Sequence, residues 1–155
     1  MDRVNLKAGS AANMSRKQPI TCVLRRPRFP LICDFDGYLF AARSLAALQL
    51  RIAGLVLPDE RNIRFCDASG ESWMLLPNEM ILAPDFPMRR WRKIEVIRLF
   101  NESRNAKDIG LRYPESVIPN RRLDAIVKDL AALLLRSRVT KANSRQDGYT
   151  VGDEK

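Results

Sequence analysis

The chain has 155 residues, 46% of them hydrophobic, enough for one ordinary domain or two very small ones and too apolar for a disordered chain. Its 27 basic residues against 18 acidic ones give a net charge of +9, which favours nucleic acid first, an acidic membrane surface second and an acidic protein third as partner. Histidine is absent, and with it go His-based triads, His-ligated metals and imidazole acid–base chemistry.

The charge is unevenly placed. Residues 1–33 carry net +6, residues 34–85 net −4, residues 86–145 net +9 and residues 146–155 net −2. A basic arm and a basic C-terminal half therefore flank an acidic middle. The three cysteines, Cys22, Cys33 and Cys66, include no CxxC pair. Neither a disulfide framework nor a zinc site is expected, and a reducing cytosol fits best. No apolar run reaches the ~18 residues of a membrane span, and no secretion signal is read at the N-terminus.

Residues 1–18 are polar and basic without apolar period and read as a flexible arm. Residues 20–24 form a short β-prone run, broken by Pro27 and Pro30 in Arg25-Arg26-Pro27-Arg28-Phe29-Pro30. Residues 31–40 read as a strand into a turn at Asp36-Gly37. Leu45, Leu48, Ile52 and Leu55 recur at helical spacing, which predicts a helix over 41–53 with Gly54 behind it. Residues 62–77 place two apolar runs around Ala-Ser-Gly-Glu, a hairpin pattern, and a further apolar run follows at 80–83. Residues 19–86 thus read as a small unit of strand, strand, helix and hairpin.

Composition turns basic after Asp85. Residues 88–100 read as a helix, although Ile94, Val96 and Ile97 would also suit a strand. A short helix is predicted over 106–113, stopped by Pro114. The clearest helix lies over 120–139, where Leu123, Ile126, Val127, Leu130, Leu133 and Leu134 fall on one side of the wheel. A polar tail follows over 141–155. The expected fold is α+β: a small N-terminal strand–helix–hairpin unit followed by a mainly helical C-terminal module over 87–140.

The run Phe100-Asn101, then Asn105-Ala106-Lys107-Asp108-Ile109-Gly110-Leu111-Arg112-Tyr113, resembles the middle of bacterial helix-turn-helix modules, and distantly the phage middle-operon activators of the Mor type. The resemblance covers about 40 residues. The chain departs from the pattern by one extra residue between Phe100 and Asn105 and by prolines on either side of 115–118. The resemblance implies a recognition helix beginning at Asn120, Arg121 and Arg122. From the residues alone, Arg offers a bidentate fork to guanine and Asn can read adenine. Arg89, Arg90, Arg92 and Lys93 would clamp phosphates, with Lys107 and Arg112 adding charge beside them. The expectation is a cytoplasmic, sequence-specific DNA-binding protein, a small transcriptional regulator with no metal and no cofactor. The spacing Leu123/Ile126 and Leu130/Leu133 also permits a homodimer through the last helix. The plainer alternative is a solvated basic face on a protein–protein adaptor, with the acidic middle unit contacting a partner.

A second stretch, Leu31-Ile32-Cys33-Asp34-Phe35-Asp36-Gly37, resembles the first motif of haloacid dehalogenase-like phosphatases. That resemblance implies Asp34 as nucleophile, Asp36 as general acid–base and a bound magnesium ion. Tyr38 stands where the family carries Thr, and the later motifs of the family are missing from the sequence.

Overall fold

The computed structural model describes residues 18–55, 63–86 and 90–146, and side chains only as far as Arg136. Residues 1–17 of the expected arm over 1–18, Arg89 and the last nine residues lie outside the described residues. The elements in order are β1 (Thr21–Cys22), β2 (Leu31–Phe35), β3 (Tyr38–Ala42), α1 (Leu45–Ala53), β4 (Ile63–Cys66), β5 (Ser72–Leu76), β6 (Ile81–Pro84), α2 (Lys93–Glu102), α3 (Arg104–Ile109), a 3-10 turn (Glu115–Val117) and α4 (Leu123–Gln146).

All six strands join one mixed sheet in the order β1-β6-β5-β4-β2-β3. The β1–β6 pair is parallel and the others are antiparallel. This overturns the expected strand–helix–hairpin unit followed by a separate helical module. The run at 80–83 is a full strand, β6, and it recruits β1 from sixty residues earlier, a long-range pairing that no local pattern signals.

Side chains alternate between the two faces with period two. Leu31, Cys33, Phe40, Ala42, Phe65, Trp73, Leu75 and Leu82 bury on one face with Leu48 and Ile52 of α1. Ile32, Leu39, Ala41 and Cys66 bury on the other, against Val96, Ile97 and Phe100 of α2, Ala106 of α3 and Ile126, Val127, Leu130, Ala131 and Leu134 of α4. The C-terminal helices are thus the second wall of the sheet's own core. With apolar neighbours on both faces, β2 and β3 read as near-continuous hydrophobic runs.

The helix boundaries follow their caps. Ser44 accepts from the Ala47 N–H at 3.1 Å, so α1 begins at Leu45 and not at 41. Ser103 ends α2 and starts α3: its hydroxyl donates to the Phe100 carbonyl at 2.6 Å and accepts from the Ala106 N–H at 3.2 Å. Gly110, at φ 65°, closes α3 in the left-handed region. Residues 120–122 belong to the turn before α4, and α4 runs on to Gln146, past the expected end at 139.

Two asparagines secure the helical layer. Asn105 donates to the Leu39 carbonyl at 3.0 Å and accepts the Leu39 N–H at 2.6 Å. Asn101 does the same to Tyr113, at 3.0 and 2.7 Å. The Phe-Asn…Asn-Ala segment that resembled a helix-turn-helix middle is, in this fold, a pair of backbone clamps. No helix among the described residues is long and apolar enough to cross a membrane.

Candidate nucleic-acid interface

The expected recognition helix, α4, packs its apolar stripe against the sheet. Ile126, Val127, Leu130 and Leu134 of α4 are at most 2% exposed. At roughly 1.5–3 kcal/mol each, their burial amounts to about 6–12 kcal/mol, comparable to the whole stability of a small domain. The helix stays on the sheet, and Ile126 and Leu130 of the dimer spacing are spent inside the chain.

The predicted cations separate into three groups. Arg121 sends Nε and a guanidinium nitrogen to the two Asp129 oxygens at 2.7 and 2.8 Å, and Tyr113 donates its hydroxyl to Asp129 at 2.6 Å. This triad fastens the loop before α4 to its second turn, so Arg121 is engaged within the fold. Arg92 is likewise engaged. Its guanidinium reaches Glu95 at 3.0 and 3.1 Å, and Glu95 accepts the Arg92 backbone N–H at 2.7 Å, closing the start of α2. Lys107, Arg112 and Asn120 are exposed and line neither of the hollows described next.

Arg90, Lys93 and Arg122 come together. They line a hollow of about 540 Å³ with Arg28, Phe29, Ala68, Ser69, Leu123, Asp124 and Lys128. A second hollow of about 340 Å³ shares Phe29 and Lys128 and adds Pro30, Arg43 and Ala131. Six cations therefore face one groove, against one carboxylate, Asp124, which sits 3.2 Å from Arg122. Lys93 donates to the Ile118 carbonyl at 3.0 Å. Among the described residues, no ion pair engages Arg28, Arg43, Arg90 or Lys128.

Sequence reasoning missed Arg28, Arg43 and Lys128. Arg28 lay in a proline-broken segment read only as a strand stop, and Lys128 interrupts a stripe read as core. Only the tertiary fold brings them to Arg90 and Arg122.

The groove rests on an acidic hub. Asp67 is 1% exposed. Its Oδ1 accepts from the Ser69 N–H at 2.9 Å, the Ser69 hydroxyl at 2.7 Å and the Glu71 N–H at 3.0 Å. Its Oδ2 accepts from the Arg28 N–H and the Trp73 indole, both at 3.1 Å. The Ala68 N–H donates to the Arg28 carbonyl at 2.8 Å, and the Trp91 N–H to the Gly70 carbonyl at 2.8 Å. The loop carrying Arg28, the β4–β5 turn and the approach to α2 are thereby fixed to one another. Arg25 caps the far side, paired with Glu71 and lying over the rings of Trp73 and Phe86.

Asp34 lies near the end of β2 and Asp36 in the turn that follows it. Asp36 and Gly37 both have positive φ, at 51° and 84°, as a two-residue hairpin turn needs. Asp34 accepts the Gly37 N–H at 3.0 Å. β2 is antiparallel to both of its neighbours, β3 and β4, unlike the parallel sheet that the phosphatase resemblance implies. Among the described residues no group of three or more His, Cys, Asp or Glu is placed to hold a metal ion. Cys33 and Cys66 are free, buried thiols. Burial pushes both up, and the neighbouring Asp34 and Asp67 charges add to it.

The triad on α4 makes a pH prediction. Hydrogen bonds from Arg121 hold the Asp129 carboxyl below its ordinary value. Burial, then the Asp129 hydrogen bond, pushes the Tyr113 phenol up. A lowered carboxyl contributes stability above its unfolded value and loses it as pH falls through the folded one. A raised phenol contributes below its unfolded value and loses it as pH rises through the folded one. Melting curves should therefore show Asp129→Asn less stable than wild type near neutrality, the gap closing below about pH 4. Absorbance titration of Tyr113 should give a value above 10 in wild type and closer to it in Asp129→Asn.

No family model, curated protein or solved structure matches the chain.

Proposed function

We propose that the protein binds nucleic acid, DNA first, through the sugar-phosphate backbone laid in the basic groove between the Arg28 loop, the β4–β5 turn and α4. One observation carries this reading: cations from four separated stretches of chain, Arg28, Arg43, Arg90 with Lys93, and Arg122 with Lys128, converge on one concave surface. Like charges gathered at this density repel one another, and a polyanion relieves that repulsion. Contacts of this kind position a ligand on its phosphates without reading its bases. Backbone affinity therefore replaces base reading by Asn120, Arg121 and Arg122.

The test is binding of labelled mixed-sequence DNA across a salt series, in both single-stranded and duplex form. If Arg28, Arg43, Arg90 and Lys128 each neutralise one phosphate, log K should fall with log salt at a slope of roughly −3. The Arg90→Glu/Lys128→Glu variant should flatten that slope by about 1.5 and weaken binding roughly thirtyfold. A Lys107→Glu/Arg112→Glu variant, with the same charge change away from the groove, should stay near wild type. No binding at low salt, or equal losses in both variants, defeats the reading.

A further inference from the structure

We infer that the strand this groove takes is single, with one base stacked on Phe29 and its flanking phosphates on the cations of the two hollows. The inference rests on the nucleic-acid reading above and adds the form of the ligand. Phe29 is the one aromatic side chain that lines the hollows, and it lines both. It is half-buried, one side packed against the core that holds Phe65 and Trp73, so its position is set by the fold.

Cations line both hollows that the ring borders. Arg28, Arg90, Lys93 and Arg122 line the larger hollow, Arg43 the smaller, and Lys128 belongs to both. An aromatic surface set in a positively charged groove is the arrangement that holds single strands, since every base presents a π-face while the cations follow the phosphates. A duplex keeps its bases stacked on each other and presents phosphates outward. It can satisfy the rim cations but cannot put a base on Phe29 without unstacking one. The remaining apolar lining, Leu123 and Ala131 of α4 with Pro30, suits the edge of an extruded base and offers nothing to a phosphate.

The hub described above supports the same geometry. Asp67 holds the Arg28 N–H, and the Ala68 N–H holds the Arg28 carbonyl, so the residue preceding Phe29 is fixed at both of its backbone groups. The ring is therefore presented ready for stacking.

The experiment compares fluorescence anisotropy of labelled oligothymidylate with that of a duplex of equal length, at one salt concentration, for wild type, Phe29→Leu and Phe29→Tyr. Leu keeps the apolar bulk against the core and removes the π-face; Tyr keeps the ring. Wild type should bind the single strand at least tenfold more tightly than the duplex. Phe29→Leu should lose roughly tenfold on the single strand and little on the duplex, and Phe29→Tyr should match wild type. Equal or tighter duplex binding overturns the inference, as does a Phe29→Leu loss shared by both ligands or a Phe29→Tyr loss as large. If duplex binding then still collapses in Arg90→Glu/Lys128→Glu, the backbone-binding reading stands and only the single-strand form falls. Absence of binding to either ligand at low salt removes both.

Discussion

Asp67→Ala is expected to cost about 4 kcal/mol, near the upper end for a single substitution. Five donors converge on this one buried carboxylate: three backbone N–H groups, the Ser69 hydroxyl and the Trp73 indole. Removing it strands the buried Trp73 indole and leaves the part-buried donors without this acceptor, and each buried donor left unpaired costs about 1–3 kcal/mol. Asp67→Asn is the sharper test. An amide supplies one acceptor oxygen and one donor nitrogen. Oδ1 takes three donors and Oδ2 takes two, so either orientation sets an NH2 group against at least two N–H donors. We expect Asp67→Asn to cost about 3 kcal/mol, where a surface Asp→Asn change costs within about 0.5. Urea denaturation measures both. A loss below about 1 kcal/mol for Asp67→Asn would show that the carboxylate does not hold the hub together.

Gly70→Ala is the second large effect, at about 3 kcal/mol. Gly70 has φ +83°, and a Cβ there would lie 2.4 Å from Leu123 Cδ2 and 3.2 Å from the Trp91 carbonyl oxygen. Two costs therefore add: about 1–2 kcal/mol for a left-handed residue with a side chain, and the shift of the Leu123 side-chain end and of the Trp91 carbonyl that the Cβ forces. They separate by a double-mutant cycle. In a Leu123→Ala background the first contact is gone, and Gly70→Ala should fall to roughly 1–2 kcal/mol. An unchanged cost in that background would place the whole effect in the backbone. Because Ser69 and Leu123 both line the larger hollow, the nucleic-acid binding proposed above would predict that the single variant also weakens DNA binding beyond its loss of stability.

Features governed by near neighbours were readable in the sequence. The Asp36-Gly37 turn and the hairpin around Ala68-Ser69-Gly70-Glu71 each follow from a few adjacent residues. Features set by distant partners were not. Nothing near Thr21 announces a parallel pairing with Ile81. The stripe on α4 signalled a buried face, but an apolar stripe is the same whether it meets a helix, a second copy or a sheet. That ambiguity left open what the stripe meets, and in this fold it meets the sheet. Arg121 and Arg122 are neighbours of one type with opposite fates, because Asp129 lies within reach of only the first. Asp67 counted as one more charge in an acidic stretch, although it is the most heavily hydrogen-bonded side chain of the groove's support.

The Asn105 clamp has a consequence for how this molecule meets copies of itself. β3 is the outer strand of the sheet at one end, and such a strand offers N–H and C=O groups that invite a further strand from another chain. At Leu39 both groups are already engaged by a single amide side chain, which supplies the two hydrogen bonds an incoming strand would make there. At Leu39, then, that end of the sheet offers an incoming strand no free partner. The opposite end finishes in a two-residue strand, β1, too short to template much. Copies of the folded chain at high local density are therefore offered little free strand edge on which to join.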